Sequence, residues 1–261
     1  MGSFGSARGG RGTGRPVRGI ALDIGSSRTR AWAPGAGVFA DVPSGPVLRG
    51  RVTDADSQLR LLRRLTAAAP GGEGHDTVVM LTHPVLAGRE EREAVKRVVD
   101  GLGAVRVFPV DSARAAAAYA APSGEGPLLV VDLGAQLTEV TLVVDGLVVD
   151  ARLAEVGLDD LPEPGDAQDS ASAPDPVAGT AADLVSDLWR RDRTGAVRGA
   201  LRRGVLVTGG GALRLDVTGR LAHLLRARLR LANDPSTSVV RGAGLMLASA
   251  LRHPAASPAR K

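Results

Sequence analysis

Residues 204–247 read GVLVTGGGALRLDVTGRLAHLLRARLRLANDPSTSVVRGAGLML, and the fold turns on this stretch. Val205-Leu206-Val207 is a short apolar run with the look of a buried strand. Thr208-Gly209-Gly210-Gly211 follows at once, and a helix-period segment begins near Leu213. Glycines between a strand and a helix let the backbone approach a ligand closely, with helix N-terminal N–H groups free to bond to it. An isolated glycine triplet reads equally well as a tight turn. This one is followed by Asn233-Asp234-Pro235-Ser236, a turn cluster that can cap a helix, and then by a small-residue helix through Val239-Val240-Arg241-Gly242-Ala243-Gly244-Leu245.

In that order, TGGGALR and NDPSTSVVRGAGLML resemble the adenosine-binding end of the bacterial actin homologues MreB and Mbl. These belong to the wider superfamily of actins, sugar kinases and heat-shock-chaperone ATPases. The resemblance implies an α/β, actin-like (ribonuclease H-like) two-lobed fold, with mixed sheets flanked by helices and a nucleotide between the lobes. The rest of the chain can be read against it.

At 261 residues the chain suits one large or two small domains with a sizeable core. A hydrophobic content of 44% with 23% charged residues argues against wholesale disorder. Aromatics are only 2%, so the core rests on Val, Leu and Ala. Cysteine is absent, which excludes disulfides and thiolate metal sites and is compatible with a reducing cytoplasm. No apolar run approaches the about 20 residues that cross a membrane, and no apolar stretch follows the N-terminal arginines as a secretory signal requires. Residues 1–18 carry Arg8, Arg11, Arg15 and Arg18 without an acid and read as a disordered basic arm; residues 252–261 read as a disordered tail. The arm's arginines could touch a polyanion, but stacking groups for nucleic acid are nearly absent.

Residues 19–121 make a first unit. Ile20-Ala21-Leu22-Asp23-Ile24-Gly25-Ser26-Ser27 reads as a strand and a polar turn, with a returning strand through Trp32. An Asp at a buried strand's end beside Gly and hydroxyl residues can hold a hydrated divalent cation near phosphates, although the same residues could form a plain hairpin turn. The segment resembles the family's first phosphate motif, which implies Asp23 near the metal and Gly25, Ser26 and Ser27 near the phosphates. Arg28 departs from the small polar residue usual there. Residues 35–50 leave room for little more than a loop where the family carries a small subdomain. A helix follows over 52–65, capped by Thr53 or Asp54, with Leu59, Leu62 and Leu65 on one face. Thr77 to Thr82 reads as a strand ending at His83, a lone histidine of structural character; then come a helix from Arg89, a strand over Val105 to Val110 and an alanine-rich helix from Ser112. The resemblance places Asp111 where the family has the acid that orients the attacking water. Asp is one methylene shorter than Glu, and a positioning error of about 1 Å can cost about a hundredfold in rate.

Residues 122–251 make a second unit. Val130-Val131-Asp132-Leu133-Gly134 repeats the apolar-Asp-apolar-Gly plan of residues 21–25, and such an echo argues for related lobes with glycine turns facing one cleft. It resembles the second phosphate motif, implying Asp132 at the metal and phosphates and Gly134 at the phosphates. Ala135, Gln136 and Leu137 replace the usual Gly-Gly-Thr, which weakens that clamp because a Cβ obstructs backbone N–H groups. Residues 154–161 resemble a further family segment with one glycine lost, residues 162–179 read as a mobile acidic linker, and residues 180–191 as one short helix. Both peripheral subdomains are therefore expected to be reduced.

The resemblance implies a shortened, divergent MreB/Mbl-like cytoskeletal protein involved in cell shape and cell-wall morphogenesis. It would bind ATP with Mg2+ through Gly25, Ser26, Ser27, Asp132, Gly134, Gly209, Gly210 and Gly211, with Asp23 and Asp132 near the metal and Asp111 in a weak ATPase role. Implied partners are itself or a full-length homologue, and membrane-associated cell-wall machinery at the inner face of the membrane. Two alternatives stand beside it: a degenerate scaffold that regulates a full-length homologue, and an ATPase of chaperone or kinase type on the same fold.

Overall fold

The computed structural model describes residues 16–71, 75–121, 125–161 and 175–252. Most of the basic arm, most of the acidic linker and all but Arg252 of the tail lie outside them. The first lobe opens with a meander of Val17–Ile24 (β1), Arg28–Ala33 (β2) and Gly37–Pro43 (β3), followed by a hairpin of Val47–Leu48 (β4) and Arg51–Val52 (β5). Ala55–Ala67 (α1) then leads to Asp76–His83 (β6), Arg89–Asp100 (α2), Arg106–Asp111 (β7) and Ser112–Ala120 (α3). The second lobe repeats the plan: Pro127–Leu133 (β8), Thr138–Val144 (β9), Leu147–Ala154 (β10), Pro176–Arg191 (α4), Ala196–Arg203 (α5), Val205–Thr208 (β11), Leu215–Leu225 (α6), Leu229–Leu231 (β12) and Ser238–Arg252 (α7).

Each lobe holds a five-stranded sheet, in the orders β3-β2-β1-β6-β7 and β10-β9-β8-β11-β12. In both, the first three strands pair antiparallel and the last two are added in parallel. Parallel neighbours need crossover connections, and helices supply them. The internal echo in the sequence is thus an echo of topology.

Three apolar clusters give the layering. Leu62, Leu65, Val98 and Val99 from α1 and α2 pack on the outer face of the first sheet against Ile20, Leu22, Val79 and Leu81. Between the sheets, α3 (Ala113, Ala116) and α7 (Val240, Ala243, Leu247) touch Ala21 and Met80 on one side and Val130, Val143 and Leu206 on the other. Outside the second sheet, α4, α5 and α6 bury Val177, Ala181, Leu188, Val197, Val217 and Leu221 over Leu129, Val131 and Val207. The thin middle layer explains the alanine-rich α3 and the glycines of α7: a Cβ on Gly242 would overlap the Ala115 carbonyl, and one on Gly244 would enter the Trp32 ring.

Local chemistry sets the element ends. Asp54 caps α1 by accepting the Ser57 N–H at 3.0 Å, and Asp175 caps α4 through the Val177 and Ala178 N–H groups at 2.9 and 3.0 Å. Pro176 at the first helical position starts α4 four residues before the expected Thr180, because proline lacks only an N–H that would be orphaned there. Residues 35–50, expected to be a loop, instead supply β3 and β4, and Arg51–Val52 close the hairpin as β5, so that α1 starts at Ala55 rather than at 52. Strand β10 is a further addition to the expected elements; Asp145 (φ +50°) and Gly146 (φ +76°) make the two-residue turn that pairs it with β9.

Candidate functional site

The two glycine turns fold alike. The Gly25 N–H donates to the Arg28 carbonyl at 3.0 Å, and the Gly134 N–H to the Leu137 carbonyl at 2.9 Å. Each turn joins its lobe's first two strands, and both open onto one cavity of about 330 Å³ between the sheets. Of the residues singled out from the sequence, Asp23, Gly25, Ser26, Ser27, Asp132, Gly134, Gly209 and Gly210 line it. Asp111 and Gly211 do not.

Asp111 ends β7 in register with His83, and its carboxylate lies 3.7 Å from the His83 Nδ1. The cavity wall is made by its neighbour Ser112 and by His83 itself. The three glycines following β11 divide their roles. Gly209 has φ +85°, and a Cβ there would collide with the Asp132 carboxylate and the Leu133 carbonyl. Gly211 is buried, and its Cβ would meet the Leu133 side chain. Both let the turn pack on β8. Only Gly210 faces the cavity with room around it: a Cβ there would have the Leu158 side chain as its nearest neighbour, at 3.8 Å. A short 3₁₀ turn over Gly210–Leu213 follows, and α6 begins at Leu215.

Electrostatically the floor is a row of cross-strand pairs. Asp23 on β1 faces Arg30 on β2, and Asp132 on β8 faces Glu139 on β9, at equivalent places in the two lobes. Asp23 accepts the Thr82 hydroxyl at 2.8 Å; burial raises its pKa, opposed by Arg30 and by that hydrogen bond. Burial and the nearby Asp23 push Asp132 up to about 7. Burial and Asp132 push Glu139 up to about 8, although its carboxylate accepts the Val85 N–H at 2.7 Å. Neither Glu139 nor Arg30 stands out in the sequence. Alternation puts each on the same face as its aspartate, but only the second sheet makes that face a cleft.

A strap crosses the cavity mouth. The Arg49 N–H donates to Gln136 Oε1 at 2.7 Å and the Gly50 N–H to Ser26 Oγ at 2.9 Å. Arg51 pairs with Glu91 of the first lobe and Glu155 of the second, both at 2.7 Å. Gln136, where the family has glycine, also donates to Asp159 at 3.0 Å. The replaced turn is therefore locked by its new side chain, and Leu137 adds apolar bulk to the cavity wall.

The donor set does not fit a divalent cation held directly by Asp23 and Asp132. One Asp23 oxygen takes the Thr82 hydroxyl, while the other faces the Arg30 guanidinium at 3.8 Å. Burial raises the Asp132 pKa to about 7, so ionising it is disfavoured relative to an ordinary carboxylate, and among the described residues no group of three or more His, Asp or Glu could hold a metal ion. A fixed positive charge this close to the carboxylates disfavours a second cation beside them.

The actin family model matches residues 42–159. No match to a curated protein was found. Among solved structures, MreB5 of Spiroplasma citri bound to ADP is similar with a TM-score of 0.76 at 20% identity, covering 89% of this chain and 96% of that one. The ethanolamine utilization protein EutJ from Carboxydothermus hydrogenoformans gives 0.64 at 19% identity, with 88% and 90% covered. MamK in its double helical filament gives 0.67 at 14% identity, with 88% and 98% covered. At such identities the likeness is one of fold: this chain has the actin-like fold, and its resemblance to the bacterial actins is borne out at that level.

Proposed function

We propose that this actin-fold chain holds the phosphates of ATP or ADP between its lobes and couples that occupancy to assembly with copies of itself or with a longer homologue. The observation that carries this reading is the convergence of three glycine turns, at Gly25, Gly134 and Gly210, on one cavity. Close-approach backbone at such turns suits phosphate oxygens. It is supported by the nucleotides in the similar structures, ADP and AMPPNP on MreB5. Filament formation by MamK supports self-association. A place in cell-wall morphogenesis, in the cytoplasm at the inner face of the membrane, follows from the MreB/Mbl resemblance; among the described residues no helix is long and apolar enough to cross a membrane.

In this reading Ser26 and Ser27 offer N–H and hydroxyl donors from one side and Gly210 its N–H from the other, while Gly25 and Gly134, whose own N–H groups close their turns, leave room for the phosphates to approach. The Arg49–Gly50 strap ties the two glycine turns together beside the mouth. Hydrolysis is slow, because Asp111 stands outside the wall, and Glu139, whose pKa burial raises to about 8, is committed to the Val85 N–H.

Leu137 in the wall and the displaced Asp111 favour a second reading, a scaffold that retains the fold for its surface and binds no nucleotide. Calorimetry with ATP and magnesium decides between them. Gly210→Val projects a side chain into the cavity from a position with open space, so it blocks the site without disturbing the fold. Binding in the micromolar range, lost in Gly210→Val, is the expected outcome. Absence of binding to the unmodified protein leaves only the scaffold.

A further inference from the structure

The arginine that the sequence marks as unusual, Arg28, is held at the cavity rim, with its Nε donating to Asp41 Oδ1 at 2.7 Å. The arginine inside is Arg30. It stands opposite Asp23 on one side and Asp41 on the other, in a row across β1, β2 and β3. Side chains in such a row share a face, and Arg30 lines the cavity with its side chain only 14% exposed. Its charge is balanced from a distance: Nη1 lies 3.8 Å from Asp23, and Nε lies 3.3 Å from Asp41. Yet the guanidinium makes no hydrogen bond among the described residues, and its buried Nε, though paired in charge with Asp41, has no hydrogen-bond partner. A guanidinium carries five donors in a rigid fork, and leaving them unmade away from water is costly. The equivalent position in the other lobe, Glu139, is occupied by backbone N–H groups. Arg30 has unused capacity, and it borders the space between the glycine turns.

We infer that Arg30 takes the place of a divalent cation: its fork binds the nucleotide's phosphate oxygens directly, and the cleft takes ADP or ATP without magnesium. This rests on the nucleotide reading above. A guanidinium matches two phosphate oxygens in a bidentate, charge-assisted pair. It neutralises Asp23 when the cleft is empty and turns toward the ligand when it is filled. The same positive charge disfavours a cation beside Asp23, which accounts for the poor metal donor set.

The test is titration of ADP and ATP into the full chain by calorimetry, in excess EDTA and in millimolar magnesium. For the unmodified protein, affinities within about threefold of each other in the two buffers are expected. Arg30→Leu loses about tenfold or more in EDTA and recovers part of it with magnesium, whereas Arg30→Lys, which keeps the charge without the fork, falls between the two. Thermal melts establish that each variant is folded; if Arg30→Leu is not, the unmodified protein and Arg30→Lys decide. Binding that collapses in EDTA, or Arg30→Leu binding as tightly as the unmodified protein in EDTA, overturns the role of Arg30 and leaves the nucleotide reading standing. Failure to bind in both buffers removes the nucleotide reading, and this inference with it.

Discussion

At the scale of single residues, Glu139 is buried and Asp132 half-buried at the cavity wall, facing each other across β8 and β9, so ionising Glu139 costs desolvation and repulsion from Asp132, and ionising Asp132 costs desolvation and repulsion from Asp23. Their folded-state pKa values, about 7 and about 8, stand above those of the unfolded chain. The folded state therefore binds more protons between the unfolded and folded values, and stability falls as pH rises through that window. In EDTA and without nucleotide, the melting temperature should decline from about pH 5.5 to about pH 8.5. Glu139→Gln, which can still accept the Val85 N–H, should flatten much of that decline; an unchanged slope would mean that Glu139 ionises without cost. The glycines show how far residue type alone reaches. Three in a row mark a close approach, but whether to a ligand or to β8 depends on what lies across each Cα. Of the three, only Gly210 faces open space.

At the scale of elements, the α3–α7 crossing sets the spacing of the two sheets. Gly242 rests on the Ala115 carbonyl, so Gly242→Ala forces the helices apart and should cost about 1–3 kcal/mol or more. Gly219 sits mid-helix in α6 with nothing near its missing side chain, so Gly219→Ala should instead stabilise by about 0.5–1 kcal/mol. Urea unfolding of the two variants gives opposite shifts in midpoint if the middle layer is as thin as described; matching shifts would contradict it. The strap is the other informative element. Residues 47–52 are too few for a subdomain, yet Arg49 and Arg51 reach across to the second lobe and Arg51 also holds the first, so this short segment still ties the two lobes together.

At the scale of the whole molecule, charge is divided along the strand direction. Arg202, Arg203, Arg228 and Arg230 gather where β11 and β12 begin, the Arg228 carbonyl accepting the Val205 N–H at 2.9 Å. Glu155, Asp159 and Asp160 stand exposed at the opposite, cleft end of the second lobe. In the proposed self-association the basic end would meet the cleft end, where Arg49 and Arg51 already pair with Asp160 and Glu155, in a head-to-tail contact that extends into an open assembly when rotation does not close it. Sedimentable assemblies are therefore expected to shrink as salt is raised from about 50 to 300 mM, since screening shortens the reach of such charges. The double change Arg203→Glu with Arg230→Glu should abolish them at low salt. Assemblies indifferent to both would place the contact elsewhere.

The duplicated plan and most of its strands and helices are legible in the chain alone, because apolar periodicity, caps and repeated Asp–apolar–Gly turns are local signals. The same signals pick out Asp23, Gly25, Ser26, Ser27, Asp132, Gly134, Gly209 and Gly210, all of which line the cavity. Asp111, placed by the family resemblance, and Gly211, placed by the glycine triplet, each stand one position away from a lining residue, Ser112 in one case and Gly210 in the other. Long-range packing accounts for the difference. Strands β3 and β10 lie at sheet edges, where a partner strand rather than composition defines them. Arg30 and Glu139 became cleft residues only when a second sheet was set opposite the first. Which arginine stands inside the cleft and which at its rim, which glycine is free and how far burial raises each acid are properties of the space between elements distant in the chain, and no local pattern encodes that space.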